Sequence, residues 1–269
     1  MYPLSEHRRR RRSAGAFTLT EILVTLGILS LTLAGLIPFF ISNYTYLFTG
    51  EQKLLINADI RDLTNEMVET ARAANFFVLY ESFDPQTVAG VTVRRDSNNN
   101  GVINANDRCQ AGEAGNFLVF VYYEDPYYDA RLFDGDTTNN PPILTVEVNR
   151  LVLYWTAPHR SISGETALYK FDTDDYRSGT SWSTPWGITL PVTVDSATSV
   201  ESLLPPSTAA WAKSNQAAIL VNDVTGLASG SLGFENFQNR SVLVRLKILH
   251  GNQAKRVTNT YNFTITPRG

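Results

Sequence analysis

The sequence predicts an α+β protein in which a long N-terminal helix, membrane-spanning in its first half, packs on an antiparallel β-sheet domain. Three observations lead to this prediction. Residues 22–50 contain no charged side chain. Apolar residues then recur at steps of three and four up to position 78, which is the spacing of one helix face. From about residue 81, short apolar segments with a period of two alternate with turn-rich stretches, as in strands joined by turns.

The composition excludes several classes of protein. The 269 residues are 43% hydrophobic, which argues for a packed core and against disorder. The formal net charge is −3, so no nucleic-acid partner is expected. Cys109 is the only cysteine, and it cannot form a disulfide within the chain.

The N-terminal region consists of a basic segment followed by an apolar one. Residues 1–16 include five consecutive arginines at positions 8–12. Residues 22–41 carry no charge, and at about 1.5 Å per residue a helix of this length reaches about 30 Å, the thickness of a bilayer core. Because the positive-inside rule keeps the arginines cytoplasmic, the C-terminal portion is expected to cross the cytoplasmic membrane in a single pass.

The small residues Ala14, Gly15 and Ala16 precede the apolar run, whereas in an ordinary signal peptide they follow it. Cleavage here leaves the apolar helix on the mature chain. Glu21 lies at the edge of that helix, and a carboxylate costs about 2.5–3.5 kcal/mol at mid-bilayer. Two interpretations stay open. A new α-amino group at Phe17, one turn away, would neutralise Glu21 within the chain or on a neighbour, or Glu21 is a helix-start acid favoured by the macrodipole.

The segment GAFTLTE at residues 15–21, followed by the apolar run, resembles the class III signal of type IV pilins and type II secretion pseudopilins. The resemblance implies that a prepilin peptidase cuts between Ala16 and Phe17 and N-methylates Phe17. Glu21 is then the fifth mature residue, which the family needs for assembly, and Pro38 matches the family's helix-breaking proline. The family usually has Gly in place of Ala16, and a cut after Gly15 would make Glu21 the sixth residue.

The resemblance also implies a function without enzymatic activity. It predicts a structural subunit that is assembled with other pilin or pseudopilin subunits by an inner-membrane assembly platform. The size of the chain and its C-terminal hairpin are similar to PilW-like minor pilins or J-type minor pseudopilins, which prime assembly. The alternative is a signal-anchored periplasmic module that binds calcium or acts as an adhesin and does not polymerise.

The helix is predicted to continue beyond the membrane as residues 17–80, with a kink near Pro38 and a stop before Asp84 and Pro85. The globular domain is then residues 81–269. The apolar face of the helix consists of Ile56, Ile60, Leu63, Met67, Ala71, Ala74 and Val78. The predicted strands are residues 88–95, 117–123, 144–155, 168–171, 188–194, 218–221, 241–249 and 257–266, and the last two form the clearest hairpin.

Residues 96–107 follow the pattern of a calcium-binding loop. Side-chain oxygens occupy loop positions 1, 3, 5, 9 and 12, which are Asp96, Asn98, Asn100, Asn104 and Asp107. Gly101 stands at the sharp turn, and the carbonyl of Val102 would be the seventh-position ligand. The loop resembles those of EF-hands and dockerins, and with two carboxylates we expect weak Ca²⁺ binding, on the order of 10⁻⁴–10⁻³ M. An Asn-rich turn without an ion is the alternative.

Residues for catalysis are few. His159 and His250 are isolated and lie near predicted strand ends, and no nucleophile elbow is present. Tyr176, Trp182 and Trp186 would form a binding platform or pack a long loop onto the sheet.

Overall fold

A computed structural model of the chain describes residues 18–88, 91–96, 103–124, 146–194, 200–205, 217–228, 231–252 and 255–268. The predicted cleavage residues Gly15, Ala16 and Phe17 lie outside this range. So do residues 97–102 of the predicted calcium loop, which include the predicted ligands Asn98, Asn100 and Val102.

One helix, α1, spans Leu19–Ala73. The strands follow in this order: β1 Phe76–Tyr80, β2 Gln86–Val88, β3 Val91–Val93, β4 Ala114–Gly115, β5 Phe117–Tyr123, β6 Val146–Pro158, β7 Thr166–Asp172, β8 Trp182–Ser183, β9 Thr189–Leu190, β10 Val192–Val194, β11 Ala218–Val221, β12 Val224–Gly226, β13 Phe234–Phe237, β14 Ser241–Asn252 and β15 Lys255–Ile265. Short 3₁₀ helices occupy Ala105–Asp107, Thr173–Tyr176 and Val200–Leu203.

The chain divides into two compact units, Met1–Glu51 and Gln52–Gly269. In the first unit α1 is long and apolar enough to cross a membrane, and none of the side chains in its most apolar stretch is buried. Its hydroxyl side chains return hydrogen bonds to the helix. Ser30 and Thr32 donate to carbonyls four residues earlier at 2.8 Å, so these polar groups need no partner outside the helix.

In the second unit the predicted apolar face of α1 packs into the domain. Ile56, Leu63, Met67 and Ala71 are buried, as the helical spacing predicted. The helix nevertheless ends at Ala73, and the prediction that it continues to Tyr80 is wrong.

The predicted helix end fails because residues 76–80 form strand β1. Their sequence FFVLY is aromatic and apolar throughout, and these residues pair with β5 from Phe76↔Val121 to Tyr80↔Phe117. Val78 is buried as expected, but on the opposite side of this sheet from the helix. A helix-like spacing therefore continued into a strand by coincidence.

Two antiparallel sheets form the domain. The main sheet has the order β1-β5-β6-β7-β11, and β10 pairs with the start of β6. The hairpin sheet is centred on β14, which pairs with β15 along one side and with β12 and β13 along the other, while β4 pairs with β13. The α+β class with antiparallel sheets is confirmed.

The main sheet is buried on both faces. One face contacts α1 and the hairpin sheet through a shared apolar cluster that includes Leu63, Phe120, Tyr154 and Leu246. The opposite face is covered by residues that follow β7, and Trp155 lies in that second cluster. All seven residues of β5 are buried as a result.

Most predicted strands are confirmed within a few residues. Strands β5 and β11 have the predicted bounds, and the C-terminal hairpin pairs Val242 with Ile265 through Leu249 with Thr258. The strand predicted at residues 88–95 is confirmed only at β3, which forms a short hairpin with β2, and the strand predicted at 188–194 is divided into β9 and β10. Strands β1, β4, β8, β12 and β13 had no counterpart in the prediction.

Gly115 in β4 tests the close packing of β1 against β4. A Cβ at this position would overlap the carbonyl oxygen of Tyr80, so Gly115→Ala forces the backbone apart. We expect it to lower the free energy of unfolding by about 1–3 kcal/mol. Gly50→Ala is the control, because a Cβ there meets open space. Thermal unfolding of the full chain in detergent micelles measures the stability of both variants. Equal unfolding temperatures for Gly115→Ala and Gly50→Ala would contradict the close packing of β1 against β4.

Candidate functional site

The start of α1 is a capping box. The Glu21 N–H donates to Thr18 Oγ1 at 3.3 Å, and Glu21 Oε2 accepts the Thr18 N–H and the Thr18 hydroxyl, each at 2.9 Å. These bonds satisfy backbone donors that the first turn leaves without helical partners. Glu21 therefore has the helix-start role that was one of its two interpretations. The T-x-x-E spacing of residues 18–21 is the sequence pattern that indicates it.

Apolar side chains cover the first half of α1 on all sides. Large exposed residues run from Leu19 to Leu47, and Leu19, Leu31 and Tyr46 are at least three-quarters exposed. Such a continuous apolar surface marks contact with a membrane or with other chains. Pro38 lies inside this helix, where it removes one backbone hydrogen bond.

The described end of the predicted calcium loop is a second capping box. Asn104 Oδ1 accepts the Asn106 N–H at 2.9 Å, and Asp107 Oδ2 accepts the Asn104 N–H at 2.9 Å. Asp107 is buried, and Asp96 at the other end of the loop is half-buried. Among the described residues, no three His, Cys, Asp or Glu side chains are placed to share a metal ion. Calcium binding by this Asn-rich loop stays a prediction.

An arginine holds each end of this loop: Arg95 is buried, and the Arg108 side chain is 10% exposed. Arg95, directly before the loop, is 1% exposed, and its guanidinium lies 4.6 Å from the ring centre of Phe83 and 4.4 Å from that of Phe117. It donates to the carbonyls of Phe83, at 3.3 Å, and Pro205. The aromatic faces and carbonyls stabilise the buried cation.

Arg108, directly after the loop, forms a bidentate ion pair with Glu201. The distances are 2.7 Å from Nε to Oε1 and 3.0 Å from Nη2 to Oε2. Tyr80 also donates to Glu201 Oε1 at 2.7 Å, and burial raises the pKa of the Tyr80 hydroxyl well above its usual value. Because Glu201 and Pro205 belong to one short segment, both loop ends are fixed to the same part of the fold. No local pattern in the sequence indicates these arginine roles.

A polar network joins α1 to the main sheet. Lys170 Nζ lies 2.5 Å from Glu66 Oε1 on the helix and 3.5 Å from Asp172 Oδ2. Asp172 is 3% exposed and accepts from Arg150 Nε at 2.9 Å. Although burial raises the pKa of Asp172, hydrogen bonds from Arg150 and the Asp174 N–H hold it below its usual value.

Two tyrosines extend this contact to the end of the helix. Tyr122 donates to the Thr70 carbonyl at 2.7 Å, and Tyr154 donates to Thr70 Oγ1 at 3.0 Å. Thr70 is buried, so these bonds satisfy polar atoms that would otherwise be isolated from water. Together with the Glu66–Lys170 pair, they fix the register of the helix on the sheet.

The remaining candidate groups have structural partners. His250 Nε2 lies 2.7 Å from Asp59 Oδ2, which connects β14 to α1. His159 Nδ1 accepts two backbone N–H groups from residues 161 and 162. Burial raises the pKa of the Cys109 thiol, which fits a bystander cysteine.

The aromatic residues of the long loop pack inward. Trp182 is buried, and Trp186 Nε1 donates to the Leu203 carbonyl at 3.0 Å. Tyr176 stacks on Phe171 with ring centres 5.0 Å apart. These contacts favour packing over the binding platform.

Comparison with models of known protein families, with curated proteins and with solved structures finds no match to this chain.

The Asp172 carboxylate is expected to make stability depend on acidity. Because its pKa is lowered in the folded state, its contribution is present at neutral pH and is lost as the pH falls below about 4. Asp172→Asn should lower the free energy of unfolding by about 1–3 kcal/mol at pH 7, and the difference from wild type should shrink in acid. Asp174 forms an exposed ion pair with Arg177, so Asp174→Asn should lower the free energy of unfolding by less than about 1 kcal/mol.

Urea unfolding of the full chain in micelles, followed by tryptophan fluorescence between pH 3 and 7, measures these differences. If Asp172→Asn lowers the free energy of unfolding equally at every pH, the lowered pKa of Asp172 in the folded state is contradicted.

Proposed function

We propose that the chain is a pilin-like structural subunit, made as a membrane-anchored precursor and assembled through α1 into a type IV pilus or a type II secretion pseudopilus. In this proposal a prepilin peptidase removes residues 1–16 at the cytoplasmic face of the inner membrane. The remaining helix then leaves the bilayer and packs with those of other pilin or pseudopilin subunits on the assembly platform. The size of the chain favours a minor, priming subunit.

The observation that carries the proposal is one carboxylate at the start of an otherwise uncharged, exposed apolar helix. Glu21 precedes 29 residues without a charge, residues 22–50. A carboxylate in an apolar environment needs a cation. The leader cleavage predicted before Phe17 creates an α-amino group at the depth of Glu21, and every subunit would carry the same pair.

The capping box is compatible with this pairing. Both hydrogen bonds from Thr18 go to Oε2, and no donor from the described part of the chain contacts Oε1. An ionised carboxylate accepts on both oxygens, so Oε1 is available to the amine of a neighbouring subunit. Thr18 would hold the carboxylate in position while the helices pack.

The continuity of α1 supports a structural role. The same helix that begins at Leu19 contributes the buried residues Ile56 to Ala71 to the core of the globular domain. Ion pairs and hydrogen bonds fix its second half to the main sheet. Each stem that enters a filament would therefore bring its own globular domain to the filament.

The alternative is a signal-anchored periplasmic module that binds calcium or acts as an adhesin without polymerising. Such a module needs the apolar anchor but has no use for Glu21 beyond the helix cap. The two hypotheses therefore differ in what loss of the Glu21 charge does.

Glu21→Gln is the test of assembly, because it keeps a hydrogen-bonding side chain at the cap but removes the charge. In cells that express the prepilin peptidase and the companion subunits, we expect the variant to be processed. Its amount in the sheared filament fraction should be at least tenfold below that of the wild-type chain. Glu51→Gln, an exposed site on the same helix, should assemble normally. Intact mass and N-terminal sequencing of the mature chain report the cut site and one methyl group on Phe17.

Normal incorporation of Glu21→Gln would contradict the filament proposal and favour the anchored module. Recovery of the chain with the arginine segment still attached would contradict processing.

A second proposal is that residues 96–107 bind Ca²⁺ outside the cell. The fixed loop ends at Arg95 and Arg108 favour it, because they limit the entropy lost when the loop closes on an ion. At a dissociation constant of about 1 mM, 10 mM Ca²⁺ would stabilise the chain by about 1.4 kcal/mol. Asn98→Ala should abolish the rise in unfolding temperature that Ca²⁺ causes, whereas Asp136→Ala, outside residues 96–107, should keep it. Asp107 is unsuitable for the test because its carboxylate also caps a 3₁₀ helix.

Equal stability of the wild-type chain with Ca²⁺ and with a chelator would show that the loop is a turn without an ion.

A further inference from the structure

Strand β1 lies at the edge of the main sheet, and described residues pair with only half of its outer side. Strand β5 occupies the inner side. On the outer side the Cys109 N–H donates to the Leu79 carbonyl at 2.7 Å, and Tyr80 forms an isolated antiparallel bridge with Arg108. The chain then turns away at Gln110, so this pairing stops before Phe77.

The backbone of Phe77 points to this outer side. Successive residues of a strand direct their N–H and C=O groups to alternate sides. Because the Leu79 carbonyl points away from β5 toward Cys109, the N–H and C=O of Phe77 point the same way. In the described part of the chain, no hydrogen bond to either group occurs on this side. One donor and one acceptor of a sheet ladder therefore have no partner among the described residues.

A cavity of about 260 Å³ runs along the same edge. Phe76 to Leu79 form one wall, and Ala105, Cys109 and the side chain of Asn236 are among the residues opposite. The Asn236 amide is already engaged, since it donates to the Cys109 carbonyl and to Asn239, each at 2.8 Å. The cavity is smaller than the usual small-molecule pocket of about 300–1,000 Å³.

The cavity offers no unpaired charge from the described residues. Arg108 is the charged residue among those that line it, and its Nε and Nη2 atoms bind Glu201. A charged side chain placed here would lose hydration without gaining a partner. The occupant that fits is therefore uncharged and carries backbone hydrogen-bonding groups.

We propose that this edge binds an extended, uncharged segment of another polypeptide by strand addition. The segment would pair its backbone with the N–H and C=O of Phe77 and place one apolar or β-branched side chain in the cavity. It would extend, along the outer side of β1, the backbone pairing that residues 108 and 109 begin. This site is independent of the filament proposal, because it needs neither Glu21 nor the membrane helix.

Hydrogen exchange at single residues tests whether the edge is open. In the full chain in detergent micelles, the Phe77 amide should exchange at least tenfold faster than the Val78 amide, which faces β5. Comparable protection of the two amides in the free chain would overturn the proposal, because it would show that the edge already has a partner.

The binding test uses heptapeptides selected from a random displayed library on the full chain in nanodiscs. Enriched peptides should be uncharged at their centre, and their binding should slow exchange at Phe77. Methylation of the one peptide nitrogen that pairs with Phe77 should weaken binding about tenfold, whereas methylation of the adjacent nitrogen should have little effect.

Two variants fill the cavity and should abolish binding of these peptides. Ala105→Trp fills it from one wall, and Gln110→Trp fills it from its exposed side. Ala73→Trp, on the exposed end of α1, is the matched control and should bind normally. Failure to enrich any peptide, or equal binding by a folded cavity variant and wild type, would overturn the proposal.

Discussion

The apolar side chains of residues 22–41 must leave water, and this requirement governs the first half of the molecule. Their helix exposes these side chains on every side. Only a bilayer or a bundle of similar helices can remove such a surface from water. The hydroxyl groups within the run bond to their own helix, so no polar group opposes that transfer.

In the proposed filament, Glu21 would give this apolar helix its direction and its specificity. A helix without charge packs equally well at many offsets, whereas a carboxylate paired with an amine favours one. Within the described residues the capping box engages Oε2 alone, so under the proposal Oε1 would accept the amine of a partner. The proposed filament uses that division.

The globular domain shows where reasoning from the sequence succeeds. Strand β5 and the hairpin of β14 and β15 were predicted because their alternation and turn residues are local features. The end of α1 was misplaced, because the spacing of Ala74 and Val78 fits a helix while the FFVLY segment pairs with a distant strand. The Thr18–Glu21 cap was readable from its spacing, but Arg95 and Arg108 were not.

The sequence by itself determined the long apolar helix, the lone carboxylate at its start and the α+β class, since each depends on the order of residues along a short segment. Only the tertiary structure decided what the charged residues of the domain do. Arg108 and Glu201 are 93 positions apart, and Glu66 and Lys170 are 104 apart. Such ion pairs form only after the whole fold has brought the partners together, so no local pattern predicts them.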